Sequence, residues 1–147
     1  MLNRLTEEYN IKRENIVIEL TERESLKNIS IIKEFTNSLK QEGYLFAIDD
    51  FGSGYSTFKY LKEFPVDIVK IDGEFIKGML NSEKDKIFVK SLIDLAKGMG
   101  LKVLAEFVEN ERIFNMVREL NVDFAQGYYI GKPSPTLKLN NGRSDRT

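Results

Sequence analysis

Five acidic or amide side chains and one lysine stand where short apolar runs give out. Glu19 lies in Ile18-Glu-Leu-Thr-Glu22, and Asp49-Asp50 closes Leu45-Phe-Ala-Ile48. Lys70 lies within Ile68-Val-Lys-Ile-Asp72, Glu106 follows Val103-Leu-Ala105, and Gln126 follows Asp123-Phe-Ala125. Neighbouring carboxylates such as Asp49 and Asp50 repel each other, and a shared cation relieves the repulsion. With oxygens from Glu19 and Glu106 added, the set suits one or two Mg²⁺ or Mn²⁺ ions. Two such ions about 3.5–4 Å apart activate a water and stabilise the leaving oxygen in phosphodiester hydrolysis. Lys70 would stabilise the developing charge or hold the attacking water. Each residue also has a plainer role open to it. An acidic residue at a strand end often caps a helix or faces water in a turn, and Lys70 could form a structural ion pair with Glu19 or Asp50. Five runs ending in the same way favour a shared site.

The residue types that are missing narrow the chemistry. The chain has no cysteine, which excludes disulfides, thiolate metal sites and thiol nucleophiles. It has no histidine, so acid–base work falls to Glu, Asp, Lys or Tyr. Any metal must be held by oxygen, which favours Mg²⁺, Mn²⁺ or Ca²⁺ over Zn²⁺ or Cu²⁺. A formal net charge of −1 argues against a nucleic-acid partner bound by broad phosphate neutralisation. Hydrophobic residues at 41% and charged residues at 31% are ordinary for a globular domain, and 147 residues suffice for one core. The start carries no apolar core of a signal peptide, and no apolar run is long enough to span a bilayer. The chain reads as cytoplasmic.

These side chains need elements to carry them. The runs Ile16 to Leu20, Leu45 to Ile48, Ile68 to Ile71, Val103 to Ala105 and Val122 to Ala125 are short and mostly β-branched or apolar. Continuous apolar runs, as opposed to alternating ones, fit parallel strands covered on both faces. Helical periodicity fills the gaps. Ile31, Ile32, Phe35 and Leu39 recur from Asn28, with Gly43 as the stop. A short helix from Thr57 to Phe64 ends at Pro65. A longer one starts at Ser82, carries Ile87, Leu92, Leu95 and Ala96, and stops near Gly98 and Gly100. The last runs from Asn110 to Leu120, and the first ten residues resemble the end of another helix. Strand–helix alternation predicts an α/β fold of about five parallel strands, either a small doubly wound sheet or part of a (β/α)₈ barrel. In both, residues at strand C-termini converge on the ligand side. No internal repeat stands out, and the segment 136–147 reads as a disordered tail.

The loop Asp50-Phe-Gly-Ser-Gly-Tyr-Ser56 offers backbone N–H groups, but its spacing fits neither a P-loop nor a dinucleotide fingerprint. A receiver-like phosphoacceptor domain is disfavoured, because no Asp fills the phosphoacceptor role two strands after the Asp pair.

Taken in order, Glu19-Leu-Thr-Glu22, Asp49-Asp-Phe-Gly-Ser-Gly-Tyr-Ser56, Val69-Lys-Ile-Asp72, Ala105-Glu-Phe-Val-Glu109 and Gln126-Gly-Tyr128 resemble the successive motifs of EAL domains. These are TIM-barrel phosphodiesterases that hydrolyse cyclic di-GMP to linear pGpG with Mg²⁺ or Mn²⁺. The resemblance runs from residue 1 to Pro135 and implies that the chain is the C-terminal portion of such a domain. It implies that Glu19, Asp49 and Asp50 are metal ligands and that Lys70 orients the nucleophilic water. Glu106 matches the general base. Glu22 matches a glutamate supporting the Asp-Phe-Gly loop, and Glu109 and Gln126 match further polar groups around the substrate. Phe51, Gly52, Ser53, Gly54 and Tyr55 resemble a segment that couples metal binding to dimerisation.

Two departures stand out. Phe107 replaces a glycine of the family pattern. The strands carrying the Glu-Ala-Leu motif and a metal-binding Asn are expected ahead of residue 1, so three of eight strands are lacking. The resemblance therefore implies a partial TIM barrel with open edges, self-association into homo-oligomers, and weak or absent hydrolysis by this chain alone. The competing expectation is a non-catalytic module that binds cyclic di-GMP or a protein partner.

Overall fold

Short runs of Ile, Val, Phe and Ala become strands because helices on one side and residues of the opposite face can cover them. A computed structural model describes residues 1–21, 29–54 and 56–136. Its strands are β1 (Val17–Leu20), β2 (Leu45–Phe51), β3 (Ile68–Ile71), β4 (Lys102–Ala105) and β5 (Phe124–Ala125). The helices are α1 (Leu2–Glu8), α2 (Ile29–Gln41), α3 (Ser56–Glu63), α4 (Gly73–Gly78), α5 (Glu83–Gly98) and α6 (Glu111–Glu119). All four strand pairings are parallel, and the sheet order is β1-β2-β3-β4-β5. A doubly wound sheet reverses its order at a switch point, whereas this order never reverses. It is the order of consecutive staves in a (β/α)₈ barrel.

The core lies between sheet and helices. Ile48, Val69, Ile71, Val103 and Ala105 meet Leu61, Ile76, Val89, Leu92, Ile93, Ala96, Ile113 and Val117 in one apolar cluster. Helix starts are fixed by side-chain caps: Asp72 accepts from the N–H of Glu74, Ser82 from that of Asp85, and Asn110 from that of Ile113. Helix α2 ends where Gly43 takes φ +100° and the Tyr44 N–H returns to the Leu39 carbonyl.

The strand starts are pinned by a device that sequence reading missed. The Asp67 carboxylate accepts the Phe46 N–H at 2.9 Å and pairs with Lys40, while its own N–H donates to the Phe46 carbonyl. Asp123 repeats this two strand pairs later, between β4 and β5, accepting from Val103 N–H at 2.8 Å and donating to the Val103 carbonyl. Each aspartate thereby sets the register of the strand it precedes against the strand before.

Three expectations are corrected. Ile31 and Phe35 of α2 face solvent at 64% and 56% exposure. The inward stripe is instead Ile29, Ile32, Thr36 and Leu39, with the buried Thr36 hydroxyl satisfied by the Lys33 carbonyl. On α5, Ile87 and Leu95 are exposed while Leu92 and Ala96 are buried. Strand β2 runs on through both aspartates to Phe51 instead of stopping at Ile48. The short α4, which the apolar periodicity does not reveal, follows its Asp72 cap directly. Glu22, Asn28, Tyr55 and most of the 136–147 tail lie outside the described residues.

Candidate active site

Lys70 is the centre of the arrangement. All four residues of β3 are buried, and the Lys70 side chain retains only 6% exposure. A buried ammonium requires compensating charge, and three strands supply it. Its Nζ lies 3.0 Å from Glu19 Oε1 of β1, 3.5 Å from Asp49 Oδ1 of β2, and 2.9 Å from Glu106 Oε1 just beyond β4. Burial by itself would lower the lysine pKa, but hydrogen bonds to Glu106 and Glu19, with the charges of Glu106 and Asp49, raise it well above the usual value. Glu106 moves the other way from a paired acid. Burial raises its pKa, against the pull of Lys70, and the charges of Asp49 and Asp50 push it further up.

Two consecutive aspartates on a regular strand would point to opposite faces. Here the β2–β3 register shifts between Ile48 and Phe51, so β2 carries an extra residue, and Asp50 adopts φ +55°. That bulge re-aims the side chains. Oxygens of Asp49, Asp50 and Glu106 consequently lie within 4.8 Å of one another. An oxygen-only donor set this close fits a hard divalent cation, which would offset the same repulsion that raises Glu106. Glu19 joins the group through its shared contact with Lys70. Of the ion pairs foreseen for Lys70, the one with Glu19 forms, and Asp49 joins it.

The loop after β2 is braced from below. Phe51 is fully buried and meets Phe58 edge-on at 5.8 Å. Gly52 takes φ +99°, and a Cβ there would come within 2.6 Å of the Leu92 side chain on α5. Ser53 donates both its hydroxyl and its N–H to the Asp50 carbonyl. The aspartate pair and helix α5 are thus joined by a few residues.

Beside Glu106 opens a cleft of about 300 Å³ lined by Glu106, Phe107, Glu109, Gln126, Gly127 and Tyr128. Its floor is tight. The Val108 N–H donates to the Gln126 carbonyl, and a Cβ on Gly127 would come within 2.3 Å of the Val108 carbonyl oxygen. Glu106, Glu109 and Gln126 therefore share one cleft. Lys77, which sequence reading did not single out, lies 3.9 Å from Glu109 and 4.3 Å from the centre of the Phe107 ring.

A family model described as the EAL domain matches residues 1–133. The chain belongs to the EAL family. Among curated EAL relatives, the cyclic di-GMP phosphodiesterase PdeB of Shewanella oneidensis is 41% identical over 127 residues, covering 86% of this chain and 15% of PdeB. The cyclic di-GMP phosphodiesterase PdeA of Borreliella burgdorferi is 42% identical over 125 residues, covering 85% of this chain and 19% of that protein. The EAL enzyme Bd1971, solved with cAMP and cyclic-di-GMP bound, superposes with a TM-score of 0.84 at 36% identity, covering 90% of this chain and 35% of that one. This EAL chain thus spans under one fifth of the two curated relatives' lengths.

Proposed function

We propose that this site hydrolyses cyclic di-GMP to linear pGpG with Mg²⁺ or Mn²⁺. The observation that carries the reading is the trio Asp49, Asp50 and Glu106, gathered within 4.8 Å beside a buried lysine. Asp49 and Asp50 hold the metal, and Glu19 approaches the same charge cluster from β1. Bound there, divalent ions supply an activated water and neutralise charge on the phosphodiester. Glu106 takes the proton of the attacking water, a role suited to a carboxylate with a raised pKa. Lys70 donates hydrogen bonds that orient that water and steady the developing negative charge. Glu109 and Gln126 contact the nucleotide in the cleft, and Glu22 supports the loop. The loop Phe51, Gly52, Ser53, Gly54 and Tyr55 couples metal occupancy to α5 and to self-association. Among the described residues no helix is long and apolar enough to cross a membrane, and we place the activity in the cytoplasm.

Because the five strands of the described residues form an open sheet with β1 and β5 at its edges, turnover by this chain is expected to be slow. The test is metal-dependent appearance of pGpG by chromatography, with Asp49→Asn as control. Slow conversion that needs Mg²⁺ or Mn²⁺ and is lost in Asp49→Asn is the expected result. Conversion that persists in chelator would overturn the reading.

A second reading has one observation behind it. Lys70 already balances three of the carboxylates, so the site is electrostatically tolerable as a binding module that does no hydrolysis. Nucleotide binding without any metal-dependent product would select it.

A further inference from the structure

We infer that Phe107 is a positioning residue that holds Glu106 in place by wedging the loop after β4 against the start of α4. The inference deepens the hydrolytic reading above and rests on it for the role of Glu106.

The backbone at Phe107 has φ +56°, a left-handed conformation that a bulky side chain seldom adopts without compensation from its surroundings. The turn alone would be better served by glycine, so the ring must be held by something else. Its seat is Gly73, the buried first residue of α4. A Cβ at Gly73 would fall 1.9 Å from one ring carbon of Phe107, 2.5 Å from a second and 2.8 Å from a third, with no other group among its three nearest neighbours. One edge of the ring fills the space that the missing side chain leaves, while Phe107 as a whole stays 48% exposed. Lys77, one turn further along α4, lays its ammonium 4.3 Å from the ring centroid and reaches Glu109 at 3.9 Å. Three contacts therefore join the segment 106–109 to α4, whose first residue lies three positions after Lys70.

Glu106 needs such a tether. Its own N–H reaches the Ile71 carbonyl at 3.4 Å, a long and weak bond, whereas the neighbouring ladder bonds from Gln126 and Val108 are 2.9 and 3.0 Å. Backbone pairing fixes Val108 firmly and Glu106 loosely. The wedge at Phe107 supplies the missing constraint between them and keeps the Glu106 carboxylate against Lys70 and the aspartate pair.

The test is a cycle of Phe107→Gly, Gly73→Ala and the double variant, with Phe107→Leu as the conservative control. Two measurements are made on each: amide hydrogen exchange at Glu106 and Val108 against Val69 as internal reference, and Mn²⁺ titration followed by electron paramagnetic resonance. Phe107→Gly should speed exchange at Glu106 by about tenfold while leaving Val69 unchanged, and weaken Mn²⁺ binding about tenfold, as loss of a supporting contact does. Phe107→Leu should keep most of both. Gly73→Ala should disturb the site in the parent, where the ring is in its way, and have almost no effect in the Phe107→Gly background. Unchanged exchange at Glu106 in Phe107→Gly, or additive effects in the double variant, would overturn the inference. If the parent chain binds no Mn²⁺, the hydrolytic reading fails while the exchange cycle still decides the role of Phe107.

Discussion

Lys70 and Asp50 show how differently two charged residues of one site depend on their neighbours. Lys70 is buried on β3 and neutralises Glu19, Asp49 and Glu106. Lys70→Met keeps the apolar stem but leaves those acids and Asp50 facing one another. Breaking a buried pair from one side is strongly destabilising, and solvent reaching Glu19 and Asp49 moderates the loss to about 2 kcal/mol. Thermal melts should show a lower Tm for Lys70→Met in chelator and a larger upward shift on adding Mg²⁺ than the parent shows. An equal Mg²⁺ shift in both proteins would mean that the carboxylates do not share a cation. Asp50 poses the opposite case. Asn tolerates φ near +55° almost as well as Asp, so Asp50→Asn retains the bulge and removes one of the charges that push Glu106 upward. The expected result is weaker Mn²⁺ binding by titration, with the fold retained. Asp50→Val places a β-branched side chain in a left-handed position and should lose about 1–2 kcal/mol with or without metal.

Asp67 and Asp123 act on elements, since each carboxylate accepts a backbone N–H from the preceding strand and its own N–H returns to the same residue. Asp67→Ala orphans the Phe46 N–H within a buried stretch of β2, a loss of about 2 kcal/mol. Asp67→Asn, which still offers one acceptor oxygen, should lose about half of that. Urea unfolding of the two variants checks the order, and equal losses would show that the Lys40 ion pair matters more than the strand register. As for what the sequence makes legible at this scale, the strands were readable because short β-branched runs bounded by turn residues have few other folds available. The site was readable because polar or charged residues at five run ends converge on one edge of any parallel sheet. Elsewhere tertiary contact decides what local pattern cannot. Periodicity shows that α2 has an apolar stripe, but Thr36 can be buried in place of Phe35 only because its hydroxyl bonds back to Lys33. The bulge at Asp49-Asp50 and the seat of Phe107 on Gly73 depend on residues from another strand or helix, and no local spacing encodes them. Helix α4 is six residues long, too short for periodicity to reveal. Asp72 as a cap with Glu74 in the first turn was its only local signal.

At the scale of the whole molecule, the sheet has two open sides. Among the described residues no strand pairs with the outer side of β1 or of β5, and both sides are apolar. Val17 is exposed on β1, with Tyr9 and Ile11 exposed in the segment leading to it, and Phe124, Tyr128, Tyr129 and Ile130 are exposed at and beyond β5. Unpaired N–H and C=O groups flanked by apolar side chains form a template for strand addition. Exposed apolar side chains of this kind also favour association. A β1 edge can meet a β5 edge head to tail with both strands parallel, as every pair within the sheet already is. Such a contact is heterologous and, unless it closes into a ring, continues to grow. Sedimentation velocity at micromolar concentration is therefore expected to show dimers and larger species that dissociate on dilution. Val17→Lys and Phe124→Lys place a charge on opposite edges and should each shift the distribution toward monomer while leaving the core, and hence the unfolding midpoint, almost unchanged. A single monomeric boundary in the parent would contradict edge pairing. Loss of association in only one of the two variants would point to a symmetric contact through that edge.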